Sequence, residues 1–166
     1  GAKTLAGVPV TVVELPGHAP AQVGLAYGET LYCGDAVFPD ETLDRHPIPF
    51  CADMDAWLAT LDRLPALPYA RFVAGHGEPV TDVAVRAEAT SARLREIRDL
   101  TYEALDAPRS AADVLRAVAS HYEVRFTAPQ FFMLSLTTIH AALTSLQAGG
   151  EAEVRMEDNH VLWVRE

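Results

Sequence analysis

Short apolar runs that stop at a glycine recur through the first half of the chain and predict a β-sheet. Their lengths and alternation fit strands, because a strand buries every second residue. Gly28 and Glu29 have the composition of a tight turn, so the runs on either side should pair as a hairpin. The predicted strands are residues 8–15, 22–27, 30–33 and 71–74, and residues 3–7 are assigned to a loop.

Apolar positions at helical spacing predict helices after these strands. Asp53 has the position of an N-cap for a helix whose inner face carries Trp57 and Leu61. A longer helix is predicted over residues 81–105, with its arginines facing outward. The segment 38–50 holds three prolines and is expected to be an ordered coil over the surface. Strands followed by helices indicate an α/β fold class.

The pattern changes at Ala107-Pro108, after which helices precede a hairpin. Ser110 and Asp113 resemble a capping box, and a further helix should run from about Thr127 to Gln147. Two strands follow around a turn at 157–159. The sequence therefore predicts two units, residues 1–107 and residues 108–166, the second a winged-helix-like α+β tail.

An aromatic and apolar cluster lies near the start of the last predicted helix. It consists of Phe131, Phe132, Met133 and Leu136. We expect it to form core between the tail and the main body. A substrate lid or a dimer contact is the alternative interpretation.

Three of the strand ends carry side chains that commonly bind metals. Gly17-His18, Gly34-Asp35 and Gly75-His76-Gly77 each follow an apolar run. Glycine allows a sharp turn and a close approach of an ion or substrate. Imidazole and carboxylate form the ligand set of zinc, and also of iron and manganese. Plain turn chemistry is the alternative for His18 and Asp35, whereas packing hardly explains a histidine between two glycines.

The remaining reactive side chains give weaker signals. Cys33 and Cys51 are too few for a disulfide framework and are expected to be small buried hydrophobic residues with free thiols. His46 lies in the coil near the predicted site, where it would contact substrate or simply face solvent.

Composition narrows the classes of partner. The net charge is −10, from 13 basic and 23 acidic residues, which disfavours binding to phosphate backbones. No apolar run is expected to be long enough to span a membrane. These features together predict a cytoplasmic protein.

The three glycine motifs, in this order and with the Trp57 helix between Asp35 and His76, resemble the metallo-β-lactamase superfamily. The resemblance implies one half of an αββα sandwich, and it implies metal ligands at His18, Asp35 and His76. His18 would bind the first ion and His76 the second. Asp35, which we take as catalytic, would bridge the two ions. A di-metal hydroxide would then attack an ester, thioester, lactone or phosphodiester.

The superfamily's His-x-His-x-Asp-His motif has no counterpart in this chain. We therefore expect the second half of the sandwich, a fragment that binds metal weakly or not at all by itself. Because a half-sandwich exposes one face of its sheet, a homodimer or a separate N-terminal half should cover that face. The alternative function is a non-catalytic dimeric binding or scaffold fragment.

A winged-helix nucleic-acid binder is the third and weakest hypothesis. Residues 108–166 contain five arginines and no lysine, against seven acidic residues. The predicted helix over 134–147 contains neither Arg nor Lys. A nucleic-acid reader needs a basic face, so packing or dimerisation suits this tail better.

Overall fold

A computed structural model describes all 166 residues. Its larger sheet has five strands in the order β1-β2-β3-β4-β5, all antiparallel except for the parallel β4–β5 pair. The strands are β1 (Ala2–Leu5), β2 (Val8–Glu14), β3 (Val23–Tyr27), β4 (Thr30–Gly34) and β5 (Arg71–Ala74). The helices are α1 (Asp40–Arg45), α2 (Met54–Arg63), α3 (Ala84–Glu103), α4 (Ala111–His121) and α5 (Pro129–Ala148). A separate hairpin, β6 (Ala152–Glu157) and β7 (His160–Arg165), ends the chain.

The helix caps follow the sequence prediction closely. Asp53 accepts a hydrogen bond from the backbone N–H of Ala56 at the start of α2. Ser110 does the same for Asp113 at the start of α4. Each bond satisfies an N–H that the first helical turn leaves free. These two caps confirm the predicted starts of both helices.

Three local predictions are wrong. Residues 3–7 are not a loop, because β1 pairs with β2 through a tight turn at Ala6 and Gly7. The coil 38–50 contains the short helix α1. The arginines of α3 do not all face outward: Arg93 donates to the carbonyls of Leu43 and Pro47, at 2.7 and 3.3 Å. A residue pattern cannot distinguish an arginine in solvent from one that caps a neighbouring loop.

The five-stranded sheet has one buried face and one open face. The buried side carries Leu31, Cys33 and Phe72, which join the core built with the helices. The open face is defined here by Leu5, Val8, Val23, Tyr27 and Tyr32, which are 41–58% exposed. Strand register places these side chains on the same side. The sheet is thus covered by helices on one side only.

One cluster of 33 buried residues runs through the whole chain. It joins Leu61 of α2 and Ile97 of α3 to Val114 of α4 and Leu143 of α5. The core is therefore continuous across the boundary between residues 107 and 108. The division into two units there stays a prediction.

Helix α5 is the most apolar element of the chain. By length and composition its 20 residues could cross a membrane, a test that the core helices of other folds also pass. The expectation that no stretch reaches that length is therefore wrong. Its inner positions, such as Ile139 and Leu143, are fully buried against the other helices, which is the environment of a core helix.

Helix α5 also fixes the segment that leads into α2. The buried hydroxyl of Thr138 accepts from the N–H of Cys51 at 3.0 Å and donates to the carbonyl of Pro49 at 2.7 Å. Two backbone groups that water cannot reach thereby depend on one side chain.

Replacing Thr138 with valine is expected to lower the free energy of unfolding by about 1–3 kcal/mol, since both backbone groups lose their partner. Urea denaturation followed by circular dichroism measures the change. Thr137→Val is the matched control, because that hydroxyl bonds only within its own helix. Equal effects of the two substitutions would show that the contact to residues 49–51 contributes nothing.

Candidate metal centre

The three predicted ligands converge at one end of the sheet. His18 follows β2, Asp35 follows β4 and His76 follows β5. The parallel pairing of β4 with β5 brings Asp35 and His76 to the same edge. Asp35 lies between the two imidazoles: its Oδ2 is 3.7 Å from His18 Nε2, and its Oδ1 is 3.7 Å from His76 Nε2. Each carboxylate oxygen therefore faces a different histidine.

Tight packing around Gly17 positions His18. A Cβ atom at residue 17 would lie 2.2 Å from the Cα of Trp57, and the Gly17 φ angle is +133°. The Gly17 carbonyl accepts from the N–H groups of Ala52 and Asp53, both at 3.0 Å. The turn before His18 is thus fastened to the start of α2.

Trp57 connects this turn to the Asp35 turn, a role that the sequence analysis missed. Its indole Nε1–H donates to the carbonyl of Ala36 at 2.9 Å, and its ring lies 5.3 Å from the ring of His18. The side chain is fully buried. A tryptophan on the inner face of a helix indicates core packing, and nothing in its spacing predicts the hydrogen-bond partner.

Close approach at Gly75 sets the position of the carboxylate. A Cβ atom at residue 75 would lie 2.2 Å from Oδ1 of Asp35. The N–H of Gly75 also donates to the carbonyl of Gly34 at 2.9 Å, which holds the two strand ends together. Only glycine leaves the space that the carboxylate occupies.

Burial favours the neutral form of His18. Desolvation lowers the pKa of His18, against the opposing effects of the Asp35 carboxylate and the Phe50 backbone. The neutral imidazole is the form that binds metal ions. Its Nδ1 atom is buried without a hydrogen-bond partner. The side chain of His76, by contrast, is 54% exposed.

The donors suit metal ions in type but not in number. Nitrogen and oxygen ligands lie about 2.0–2.2 Å from zinc, so one ion can bridge a pair separated by 3.7 Å. The arrangement offers two such positions, one on each side of Asp35, with two protein donors apiece. No group of three or more His, Cys, Asp or Glu side chains is placed to hold an ion. The residues therefore fit a metal pair in chemistry and lack half of a usual ligand shell.

A cleft of about 420 Å³ opens beside these residues. One wall comes from the coil and α1, and the other comes from the start of α5 and the segment before it. The cleft is lined, among others, by His46, Phe50, Arg125, Phe126 and Phe131. His46 therefore lies beside the candidate site, as its interpretation as a substrate contact requires. The sequence predicts a contribution from the tail only as an alternative, the interpretation of the aromatic cluster at 131–136 as a substrate lid.

That aromatic cluster is divided between core and surface. Phe132 and Leu136 pack against the core, whereas Phe131 and Met133 are 53% and 59% exposed. The core prediction is therefore confirmed for two of the four residues. Phe131 instead faces the cleft.

Both cysteines are free and fully buried, as predicted. Desolvation raises the pKa of Cys33 to about 11 and that of Cys51 to about 12. A free cysteine has a pKa of about 8.5. Neither thiol is poised as a nucleophile, because the thiolate is the reactive form.

Native protein at pH 8 is expected to resist alkylation by iodoacetamide. At a pKa near 12, about one Cys51 side chain in ten thousand is ionised at that pH. Urea should make both residues react fully, as mass spectrometry would record. The raised pKa also affects the free energy of unfolding. The contribution of the buried thiols is fully present below about pH 8.5. It falls as the pH rises toward the folded pKa, because only the unfolded thiols ionise in that range. Fast labelling of native Cys51 would contradict this.

Fold and site together define a mixed α/β protein with a carboxylate between two imidazoles at its strand ends. Residues 4–76 match the family model described as the metallo-beta-lactamase superfamily. A metallo-beta-lactamase family protein from Thermus thermophilus has a similar structure, with a TM-score of 0.77 and 23% identity over all of this chain. A beta-lactamase domain protein from Burkholderia ambifaria gives 0.76 and 20%, also over all of this chain. No curated protein matches.

Residues 4–76 are thus similar to the metallo-β-lactamase superfamily, whose members usually bind divalent metals. At these identities the two solved structures establish the likeness of fold. The chain spans 52% and 50% of their lengths, about half of each.

Proposed function

We propose that this chain is the second αβ half of an αββα metal-dependent hydrolase. The intact enzyme would cleave an ester, thioester, lactone or phosphodiester. The observation that carries the proposal is the position of Asp35, whose two carboxylate oxygens face different imidazoles at the same distance of 3.7 Å. A carboxylate that neutralises two cations must present one oxygen to each of them, and this arrangement allows Asp35 to do so.

The chain's own residues would bind and orient the reacting groups. His18 and Asp35 would hold one ion, and Asp35 and His76 the other. Zinc, iron and manganese all accept these donors. Bound divalent cations lower the pKa of water and stabilise negative charge on a carbonyl or phosphoryl centre. Burial lowers the pKa of His18, which favours the neutral imidazole, the form that binds metal ions.

The open face of the sheet supports the proposed half-sandwich. Its apolar side chains, Leu5 and Tyr27 among them, are about half exposed. A face of this kind is usually covered by a partner surface. We propose an N-terminal half as that cover, with homodimerisation as the second arrangement. Either partner would also supply further ligands to the metal centre, where this chain provides two donors for each ion.

The order of the last elements supports a winged-helix-like tail over residues 108–166. A β-bridge between Arg109 and Trp163 joins the start of the tail to its terminal hairpin, and α4 and α5 lie between them. Helix α5 has no Arg or Lys, which argues against nucleic acid as its partner. No membrane partner is proposed, and the two buried free thiols fit the reducing cytoplasm.

Metal titration of the purified chain tests the proposal. Zinc, iron(II) and manganese(II) would each be followed by calorimetry, with metal content measured by mass spectrometry. We expect binding that Asp35→Ala abolishes and His76→Ala weakens. His160→Ala, which alters an exposed histidine in the terminal hairpin, should change nothing. Binding that survives in Asp35→Ala would refute a site at these three residues.

A non-catalytic scaffold is the second candidate, because each ion position has only two donors in this chain. The two candidate functions predict different results when a partner surface covers the open face of the sheet. A hydrolase half should gain metal affinity and esterase activity as it assembles. A scaffold should assemble with neither change. Analytical ultracentrifugation gives the assembly state in the same samples.

A further inference from the structure

The cleft beside the candidate metal centre has two apolar walls. Phe38 and Ile48, which are 5% and 7% exposed, line the wall formed by the first unit. Phe131 and Leu134 of α5 line the opposite wall and are 53% and 46% exposed. Large apolar side chains exposed inside a cleft of about 420 Å³ indicate a site for an apolar ligand group.

The two walls are held in fixed positions. Thr138 clamps residues 49–51 to α5, and Arg93 of α3 clamps the carbonyls of Leu43 and Pro47. Phe126 packs edge-on against Phe132, with 5.5 Å between ring centroids. The cleft therefore lies between elements that are tied to the same core.

Two arginines also line the cleft. Arg45 and Arg125 are both exposed, and neither forms an ion pair with the chain. Six other arginines do form such pairs. Asp35 is the only carboxylate in the lining. In a chain of net charge −10, a locally cationic cleft favours an anionic ligand.

We propose that this cleft binds amphiphilic anions. The apolar chain would lie between the Phe38 wall and the Phe131 wall, and a carboxylate or phosphate would face Arg45 and Arg125. This inference rests on the proposed function and deepens it. It narrows the substrate to esters or thioesters of apolar acyl groups that carry an anionic group.

Calorimetry on the 166-residue chain in EDTA separates ligand binding from metal binding. The probes are octanoate, octyl phosphate, butyrate and 1-octanol. We expect octanoate to bind at least about tenfold more tightly than butyrate, because it buries more methylene groups. Octanoate should also bind about fivefold more tightly than 1-octanol, a preference that salt reduces. The relative affinities of octanoate and octyl phosphate identify the preferred anionic group.

Matched variants assign the effect to the cleft. Phe131→Ala should weaken octanoate binding about tenfold, whereas Met133→Ala, exposed on the same helix but outside the cleft, should not. The double variant with Arg45→Gln and Arg125→Gln should no longer bind octanoate more tightly than 1-octanol. The control variant Arg71→Gln should retain the preference for octanoate. Circular dichroism confirms that each variant is folded.

Octanoate that binds no better than 1-octanol, or equally to the Phe131 and Met133 variants, would overturn the inference. A chain that binds zinc but not octanoate would retain the proposed function and lose the ligand class. A chain that binds octanoate in EDTA but never binds metal would retain the ligand class and lose the proposed function.

Discussion

Replacing Gly17 with alanine is expected to destabilise the folded chain severely. The new Cβ atom would lie 2.2 Å from both Cα and Cβ of Trp57 and 2.4 Å from its backbone nitrogen. No side-chain rotation relieves a collision with backbone. Either the turn at residues 16–18 or the first turn of α2 must therefore move, and both carry core contacts.

The expected loss is about 4 kcal/mol or more, which approaches the whole stability of many domains. Urea denaturation followed by the near-ultraviolet circular dichroism of the two tryptophans would measure the loss. Gly7→Ala is the control, because Gly7 also has a positive φ of +82° but nothing within 4 Å of the added atom. That control should cost only about 1–2 kcal/mol. Comparable losses at the two positions would mean that φ, rather than the contact with Trp57, explains Gly17.

Replacing Gly75 with alanine is expected to weaken metal binding while the fold survives. The added Cβ would lie 2.2 Å from Oδ1 of Asp35, the oxygen that faces His76. The end of a carboxylate side chain can rotate away at small cost to stability. It then no longer lies between the imidazoles, so we expect about a 10–100-fold loss of metal affinity.

Calorimetric metal titration and thermal unfolding of the same samples separate the two effects. Gly28→Ala is the control for an added methyl group, since its Cβ would meet nothing within 4 Å. Asp35→Ala sets the limit of complete loss. Wild-type affinity in Gly75→Ala would show that the position of Asp35 between the histidines is unimportant.

The candidate ligands could be predicted because each depends on local features. A glycine turn after an apolar strand is visible in the sequence, and the strand ends of a sheet share an edge. The helix caps at Asp53 and Ser110 are equally local. For the same reason, the resemblance to the superfamily could be stated from three short motifs.

The second wall of the cleft could not be predicted, because it depends on how α5 crosses the first unit. Phe131 and Leu134 have the spacing of core residues, and only the observed packing places them in the cleft. The strand β1 was missed because its residues are all exposed and show no alternation of burial. Arg93 was assigned to solvent because its backbone acceptors, Leu43 and Pro47, lie 50 and 46 residues away in sequence.

The core that the first two thirds and the last third of the chain share limits how the chain can change in evolution. Since α5 supplies partners to residues 49–51 and a wall of the cleft, the last third is no detachable appendage. Recombination that exchanged it for an unrelated segment would remove the hydrogen-bond partner of residues 49–51 and one wall of the cleft at once. Because Phe38 and Ile48 belong to both the core and the cleft lining, substitutions that reshape the cleft also change the packing of the core, which ties the evolution of specificity to the evolution of stability.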